Sequence, residues 1–257
     1  MLRGSFAKNI GMDKEFRYRG TEPGRLENFS DAVFALAITL LLISTSPPST
    51  FAQIVKFTFD LIPFMMCITL IVLIWHEHFV FYYRYGLRNN RVIFLNTLFL
   101  VIVLFYVYPL KFLTKLSLFV IAIPFEIEWL IQDLQGMLRG GNMSDLMIIY
   151  GIGATSVFFV LVLMYRYALS KAVELQLNEL ELFDTRTSIR TNFLLGAIPL
   201  FSVLIVLVFY NDPFSGMYSG FAYFMYGPIM AWHGKRVDKA RKVILEKQQD
   251  EEVISTE

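Results

Sequence analysis

The residues best suited to chemistry in this chain are a short run of two histidines and a glutamate. His76, Glu77 and His78 are consecutive, and the remaining histidine, His233, lies far along the chain. On a helix, positions i and i+2 point about 200° apart, so the two imidazoles cannot grip one metal ion together. The spacing also differs from HExxH, and no Ser/His/Asp or Cys/His set converges. We therefore predict no metal site and no enzymatic activity.

An aspartate near the start of an apolar run is the second notable group. Asp31 lies within or just below the first predicted membrane turn, where an ionisable side chain marks a functional or paired site. Asp31 and His78 could exchange protons during transport if both titrate near neutral pH. A proton-coupled membrane carrier that uses Asp31 and His78 is therefore one functional hypothesis.

The elements that carry these residues are typical of a membrane protein. The 257 residues are 56% hydrophobic and 18% charged, with a mean hydropathy of +0.53. Soluble domains average about 45–50% apolar and about 25% charged residues. A net charge of +1 provides no basic excess for nucleic acid, which we exclude as a partner. The single cysteine, Cys67, excludes a disulfide framework.

Six segments are apolar over a length that can cross a bilayer, for which a helix needs about 20 residues. They cover residues 29–46, 57–75, 92–110, 146–165, 193–210 and 214–232. The last segment is the weakest because it contains three glycines and a proline, although membrane helices tolerate both. The predicted fold class is an all-α polytopic membrane protein with six transmembrane helices.

The basic residues predict the orientation of these spans. With six spans, 19 of the 23 lysines and arginines fall on one side, which the positive-inside rule assigns to the cytoplasm. Both termini are then cytoplasmic. The predicted organisation is an N-terminal cytoplasmic extension (1–28), a six-helix transmembrane domain (29–232) and a C-terminal cytoplasmic tail (233–257).

The segment 116–138 is apolar enough to resemble a seventh span. It contains Glu126, Glu128 and Asp133 together with Pro124. A carboxylate at the bilayer centre costs about 2.5–3.5 kcal/mol on insertion scales. We predict that this segment lies on the extracytoplasmic membrane surface.

The first predicted span opens with a recognisable motif. The pattern R-x-x-x-F-S-D is formed by Arg25, Phe29, Ser30 and Asp31. It leads into an apolar helix that continues A-x-x-x-x-A-I-T-L-L. This stretch resembles the transmembrane protein 175 family, in particular its prokaryotic potassium channels. Weaker similarities are Trp75-x-x-His78 and Leu95-Asn96 followed by Pro109.

The resemblance implies a homotetramer in the bacterial inner (plasma) membrane, in which the first helix of each subunit lines one central pore. Monovalent cations, potassium above all, would pass without a cofactor. The family lacks a TVGYG filter, as does this chain, and rings of side chains restrict the ions. Carried over by position, the narrowest ring falls on Leu36, with a threonine ring at Thr39 and further apolar rings at Leu40 and Ile43.

The spacing of these four positions is consistent with one helical stripe. They lie three, four and seven residues from Leu36, which places them on one face at about 100° per residue. Four such stripes around an axis would form stacked apolar constrictions that can close by dewetting. The alternative is that the stripe serves packing or lipid contact, as apolar side chains in membrane helices usually do.

Asp31 is predicted to face away from this stripe. It lies five positions before Leu36, about 140° around the helix. We predict that Asp31 and Ser30 form hydrogen bonds with neighbouring helices, with candidate partners Trp75, His78 and Asn96. The alternative is a helix-terminus role, in which Ser30 and Asp31 satisfy free backbone N–H groups.

The other two motif residues remain open at the level of sequence. Arg25 lies about 20° from Leu36 by helical angle, which would place it at the cytoplasmic mouth of the pore. The family resemblance instead suggests a role for Arg25 in the packing network. Phe29 is interpreted as a packing residue.

Three functional classes follow from these observations. The favoured one is a potassium-permeable channel whose hydrophobic rings act as constriction and filter. The proton-coupled carrier and a non-transporting membrane scaffold are the alternatives. Unitary currents without a proton gradient would indicate the channel, and slow proton-linked flux would indicate the carrier. The absence of both would indicate the scaffold.

Overall fold

The structure is a computed structural model that describes residues 15–43, 48–118, 123–137, 143–212 and 214–256. Within these ranges, all regular secondary structure is helical. The α-helices are α1 (Arg25–Ile43), α2 (Phe51–Phe59), α3 (Leu61–Tyr85), α4 (Asn90–Leu116), α5 (Glu128–Met137), α6 (Met143–Ser170), α7 (Glu179–Val208), α8 (Ser215–Ala222) and α9 (Tyr226–Thr256). A 3-10 helix, Tyr223–Met225, separates α8 from α9.

Five helical stretches are long and apolar enough to cross a membrane, counted over the described residues. They are α1, the combined stretch of α2 and α3, and the helices α4, α6 and α7. The prediction of an all-α membrane protein is confirmed. Each of the five stretches begins before its predicted apolar segment because hydrophobicity marks only the part inside hydrocarbon; residues 44–46 of the first segment lie outside the described residues. For example, α7 begins at Glu179, well before the predicted start at residue 193.

The sixth predicted span, 214–232, is not one continuous helix. It consists of α8, the 3-10 helix and the first turns of α9, which continues as a polar helix to Thr256. Pro228 lies in the first turn of α9, where a proline is tolerated, but its ring and missing N–H would break a helix passing through this point. The expectation of an uninterrupted helix here is corrected, and the count of six spans stays a prediction.

The helices pack in a chain of neighbours that leaves α1 at one side. The most extensive contact is between α6 and α7, α4 packs against α6, and α1 packs mainly against α4 and α3. Aromatic rings fill the junction of α3 and α6, where Phe81 lies edge-on to Tyr165 with ring centroids 5.4 Å apart. Within the described part of the chain, α1 is therefore packed on one face.

The described part of the N-terminal extension, residues 15–24, docks onto the helices. Phe16 is buried, and the Arg84 guanidinium lies 4.9 Å from its ring centroid. Arg19 Nη2 lies 2.7 Å from Glu181 Oε2, and the Glu181 carboxylate also accepts a hydrogen bond from the backbone N–H of Asn178 in a capping box at the start of α7. This segment leads directly into α1.

At the opposite end of the bundle, the segment 116–138 contains the end of α4 and the short helix α5. Apart from Leu116, the last residue of α4, none of its described residues belongs to a helix that could cross a membrane. Lys115 Nζ lies 3.1 Å from Asp60 Oδ1 and 3.6 Å from Asp133 Oδ2. Trp129 packs edge-on against Phe59 with ring centroids 5.1 Å apart. These contacts connect α5 to the ends of α2 and α4.

Candidate ion-conduction site

The helix α1 has one packed face and one open face. The packed face consists of Ser30, Val33, Phe34, Ala37 and Leu41. These residues recur at helical spacing, so the stripe that contacts α3 and α4 is continuous along the helix. On the open face, Leu36 is 50% exposed and Ile43 is 71% exposed. The sequence of α1 thus places one set of side chains against α3 and α4 and a second set on the opposite side of the helix.

Three of the four predicted pore residues lie fully on the open face. Leu36, Thr39 and Ile43 are exposed, whereas Leu40 is half-buried at the edge of the packed face. The hydroxyl of Thr39 donates to the Ala35 carbonyl 2.8 Å away in the preceding turn. Its hydrogen therefore points along the helix, and its oxygen lone pairs remain free to accept or to contact a cation.

A buried polar cluster lies on the packed face of α1. The Asn96 side-chain amide donates to Ser30 Oγ at 3.0 Å, and Asn96 Oδ1 lies 2.6 Å from His78 Nε2. The His78 ring stacks on Phe99 with a centroid separation of 5.3 Å and contacts Phe34 at 5.7 Å. All three polar residues are at most 2% exposed. The structure thus joins α1, α3 and α4 through one hydrogen-bonded set.

Asp31 lies outside this buried cluster and makes a separate contact. Its Oδ1 accepts a hydrogen bond of 2.8 Å from the indole Nε1 of Trp75 on α3. Because α1 begins at Arg25, both Ser30 and Asp31 lie beyond the first four backbone N–H groups of the helix. This geometry favours the interhelical interpretation of the two side chains over a helix-terminus role.

Two motif residues are not brought into the cluster. Arg25 is exposed at the start of α1 and shares none of the hydrogen bonds of the Ser30–Asn96–His78 set. Phe29 is 61% exposed among the described residues, and its interpretation as a packing residue stays a prediction. Phe29 lies on the open face with Leu36 because a separation of seven residues is close to two helical turns.

Two charged contacts that hold α1 were missed from the sequence. Near its start, Arg88 Nη2 lies 3.1 Å from Glu27 Oε1. Near its end, Lys111 Nζ donates to the Leu41 carbonyl at 3.0 Å. The Arg88 contact has no sequence signal because its partners are 61 residues apart. For the second contact, the available signal was a lysine directly after the predicted apolar segment 92–110.

The His76-Glu77-His78 run forms no metal site in the part of the chain that the structure describes. No group of three or more His, Cys, Asp or Glu side chains there could hold a metal ion. His78 points into the buried cluster and not toward His76, as their spacing on α3 requires.

Comparison with known proteins identifies the family. A potassium channel from Marivirga tractuosa is 41% identical over 252 residues, which cover 95% of this chain and 100% of the relative. A family profile described as "Endosomal/lysosomal potassium channel TMEM175" matches residues 25–106, the part that carries the motif. The chain belongs to the TMEM175 family.

Two solved structures agree with this TMEM175 assignment. A threonine-to-alanine variant of the potassium channel MtTMEM175, solved with a nanobody fusion protein, is 39% identical and superposes with a TM-score of 0.77, covering 89% of this chain and 99% of the other. A lysosomal potassium-selective channel TMEM175 homolog from Chamaesiphon minutus is 17% identical, with a TM-score of 0.52 over 83% and 97% of the two chains. The second match supports the fold alone. This TMEM175 protein is a multi-pass membrane protein from a family of channels and not of enzymes.

Proposed function

We propose that the chain forms a homotetrameric potassium channel whose pore is lined by the open face of α1. The narrowest ring is Leu36, followed by the oxygen ring of Thr39 and the apolar rings of Leu40 and Ile43. Residues 1–28 and 233–257 lie in the cytoplasm, and 29–232 form the channel domain in a bacterial plasma membrane. The potassium-channel relatives support the conducted ion.

One observation carries the pore assignment. The packed face of α1 is fixed by α3 and α4, which leaves a stripe of Phe29, Leu36, Thr39 and Ile43 exposed among the described residues. The members of this stripe repeat at intervals of three, four and seven residues. Apolar repeats of this kind are typical of helices that pack against identical copies around an axis. Lipid contact would leave the same stripe exposed, so the assignment rests on the experiments below.

The proposed mechanism uses partial dehydration at the apolar rings. A cation that passes Leu36 loses part of its water shell, and potassium, which is more weakly hydrated than sodium, passes more readily. The Thr39 oxygens then replace some of the lost water, because their hydrogens are engaged with Ala35. When the ring is narrow, water leaves it and conduction stops.

The carrier hypothesis has less support in this geometry. Asp31 and His78 belong to separate contacts, one to Trp75 and one to Asn96. His78 is 2% exposed and is enclosed by Phe34 and Phe99. A proton carrier needs its titrating group to exchange protons with water during each cycle. The buried His78 ring has no such access to water in this structure.

Flux through reconstituted protein tests the pore assignment. Leu36→Ala widens the narrowest ring, and a barrier lower by about 1 kcal/mol raises potassium flux about fivefold. Thr39→Val keeps the shape of the side chain and removes the oxygen, which lowers the preference for potassium over sodium. Both are measured as ion flux into vesicles under potassium and sodium gradients.

Matched controls separate the pore stripe from general effects. Leu42→Ala removes the same atoms from the same helix at similar exposure, 54%, but about 120° from Leu36. Thr97→Val removes an exposed hydroxyl that bonds its own helix as Thr39 does, with Oγ1 2.9 Å from the Ile93 carbonyl. Both controls should conduct as the unmodified protein does. Unchanged flux and selectivity in both Leu36→Ala and Thr39→Val would refute the assignment.

A further inference from the structure

An arginine-rich groove lies between α6 and α7, away from the open face of α1. Its volume is about 570 Å³. Three arginines line it, Arg166 from α6 and Arg186 and Arg190 from α7, together with His233 from α9. A second hollow of about 440 Å³ adjoins it and shares Arg190 and His233.

The charge of this groove is uncompensated within the described residues. Arg19, Arg88 and Arg241 each pair with a carboxylate elsewhere in the structure. By contrast, Arg166, Arg186 and Arg190 pair with no described carboxylate, and all three are exposed. Three guanidinium groups around one hollow favour an anion, and guanidinium geometry suits phosphate oxygens in particular.

Aromatic and cationic groups extend the site along α9. The Arg236 guanidinium lies 3.9 Å from the ring centroid of Trp232, and both line the adjoining hollow. His233 Nε2 lies 3.0 Å from Thr191 Oγ1, which fixes the imidazole against α7. Tryptophan and arginine are typical of the headgroup level of a bilayer, where one end of the side chain is apolar and the other is hydrated.

The other wall of the groove is apolar and lies deeper in the membrane. Val162 and Phe193 belong to the predicted apolar spans 146–165 and 193–210, and Phe193 is 52% exposed. Arg166, Arg186 and Arg190 fall just outside these spans. The groove therefore runs from charged headgroup level to hydrocarbon level, which suits an amphipathic ligand better than a soluble anion.

We propose that this groove binds an anionic phospholipid. The phosphate of the headgroup contacts Arg166, Arg186 and Arg190, and an acyl chain lies against Phe193 and the neighbouring Leu194. Basic pockets between membrane helices are suited to anionic headgroups. The site is separate from α1, so lipid binding can be measured independently of ion flux.

Lipid retention tests the proposal with two double variants of equal charge change. Protein in detergent is equilibrated with equal amounts of phosphatidylglycerol and phosphatidylcholine, and bound lipids are counted by native mass spectrometry. Each arginine contributes about a fivefold gain in affinity, so Arg186→Gln with Arg190→Gln lowers phosphatidylglycerol affinity about 25-fold. The control double variant carries Lys235→Gln and Lys239→Gln on α9, outside both hollows. It should leave the affinity for phosphatidylglycerol unchanged.

The unmodified chain supplies a test that needs no variant. It should retain phosphatidylglycerol over phosphatidylcholine, and millimolar inorganic phosphate should not displace the lipid. Equal retention of the two lipids would overturn the proposal. Displacement by inorganic phosphate, or equal losses in the arginine and lysine variants, would do the same.

Discussion

At the scale of single residues, Asn96 determines which face of α1 is open. Its side chain bonds Ser30 on α1 and His78 on α3 at the same time. Rotating α1 by one position would move Ser30 out of reach and would bury Asp31 in its place. Since an unpaired polar group in hydrocarbon is costly, the cluster fixes the rotation of α1.

Replacement of Asn96 by leucine tests this role. Asn96→Leu leaves the His78 imidazole without its buried partner and removes the Asn96 bond to Ser30, whose hydroxyl keeps its hydrogen bond to the Leu26 carbonyl at 2.9 Å. We expect the free energy of unfolding to fall by about 2 kcal/mol. Trp75→Phe removes a hydrogen bond to Asp31 that is more exposed than those of the buried cluster. This change should lower the free energy of unfolding by about 0.6 kcal/mol. The measurement is the thermal unfolding midpoint in detergent at one scan rate. Equal midpoints for the two variants would contradict the importance of the buried cluster.

At the scale of elements, the segment 15–24 connects the start of α1 to α3 and α7. It reaches the end of α3 through a close backbone approach, in which Gly20 N donates to the Tyr83 carbonyl at 3.1 Å. Gly86 ends α3 with a φ of 60°, a conformation that favours glycine. An added Cβ at Gly86 would lie 2.7 Å from the Arg19 carbonyl oxygen.

Substitution of Gly86 by alanine should release this connection. Gly86→Ala introduces both the left-handed strain and the contact with the Arg19 backbone, for a combined cost of about 2 kcal/mol or more. The segment then becomes accessible, and proteolysis between residues 15 and 24 should accelerate. Gly234→Ala is the control, because nothing lies within 4 Å of its added Cβ on helix α9. Equal proteolysis rates in the two variants would show that the segment does not depend on Gly86.

At the scale of the whole molecule, the proposed pore-lining face of α1 is exposed in a single chain. The helix α1 packs mainly against α3 and α4 on one side, and its open face carries Phe29, Leu36 and Ile43. In a tetramer, this face would meet three identical copies. In a monomer, it would contact lipid. Only the assembly distinguishes a pore from a lipid-exposed surface.

Cysteine cross-linking decides between these arrangements. In a Cys67→Ala background, Leu36→Cys places four thiols around the proposed axis, close enough for disulfides between subunits. Oxidation in membranes should convert most chains to covalent dimers on a denaturing gel. Phe105→Cys, on α4 and 78% exposed, should stay monomeric. Monomeric Leu36→Cys after oxidation would show that the α1 helices do not meet at their open faces.

The length and hydropathy of the chain determined much of the architecture. Five of the predicted spans match helical stretches in the structure because an apolar run of about 20 residues has few other stable places to fold. Hydropathy alone did not decide the sixth segment, since it stays apolar overall while Gly220, Gly227 and Pro228 weaken a continuous helix. The motif residues indicated the family, because the R-x-x-x-F-S-D spacing is specific along the sequence.

Tertiary structure decided which side chains meet. Periodicity grouped Leu36, Thr39 and Ile43 on one stripe, but it could not show that Leu40 is half-buried or that Phe29 faces outward. The contacts of Arg88 with Glu27 and of Lys111 with Leu41 join residues far apart in the chain, as does the convergence of three arginines beside Phe193. A sequence encodes its local periods directly, whereas such long-range pairs depend on how packed helices are rotated against one another.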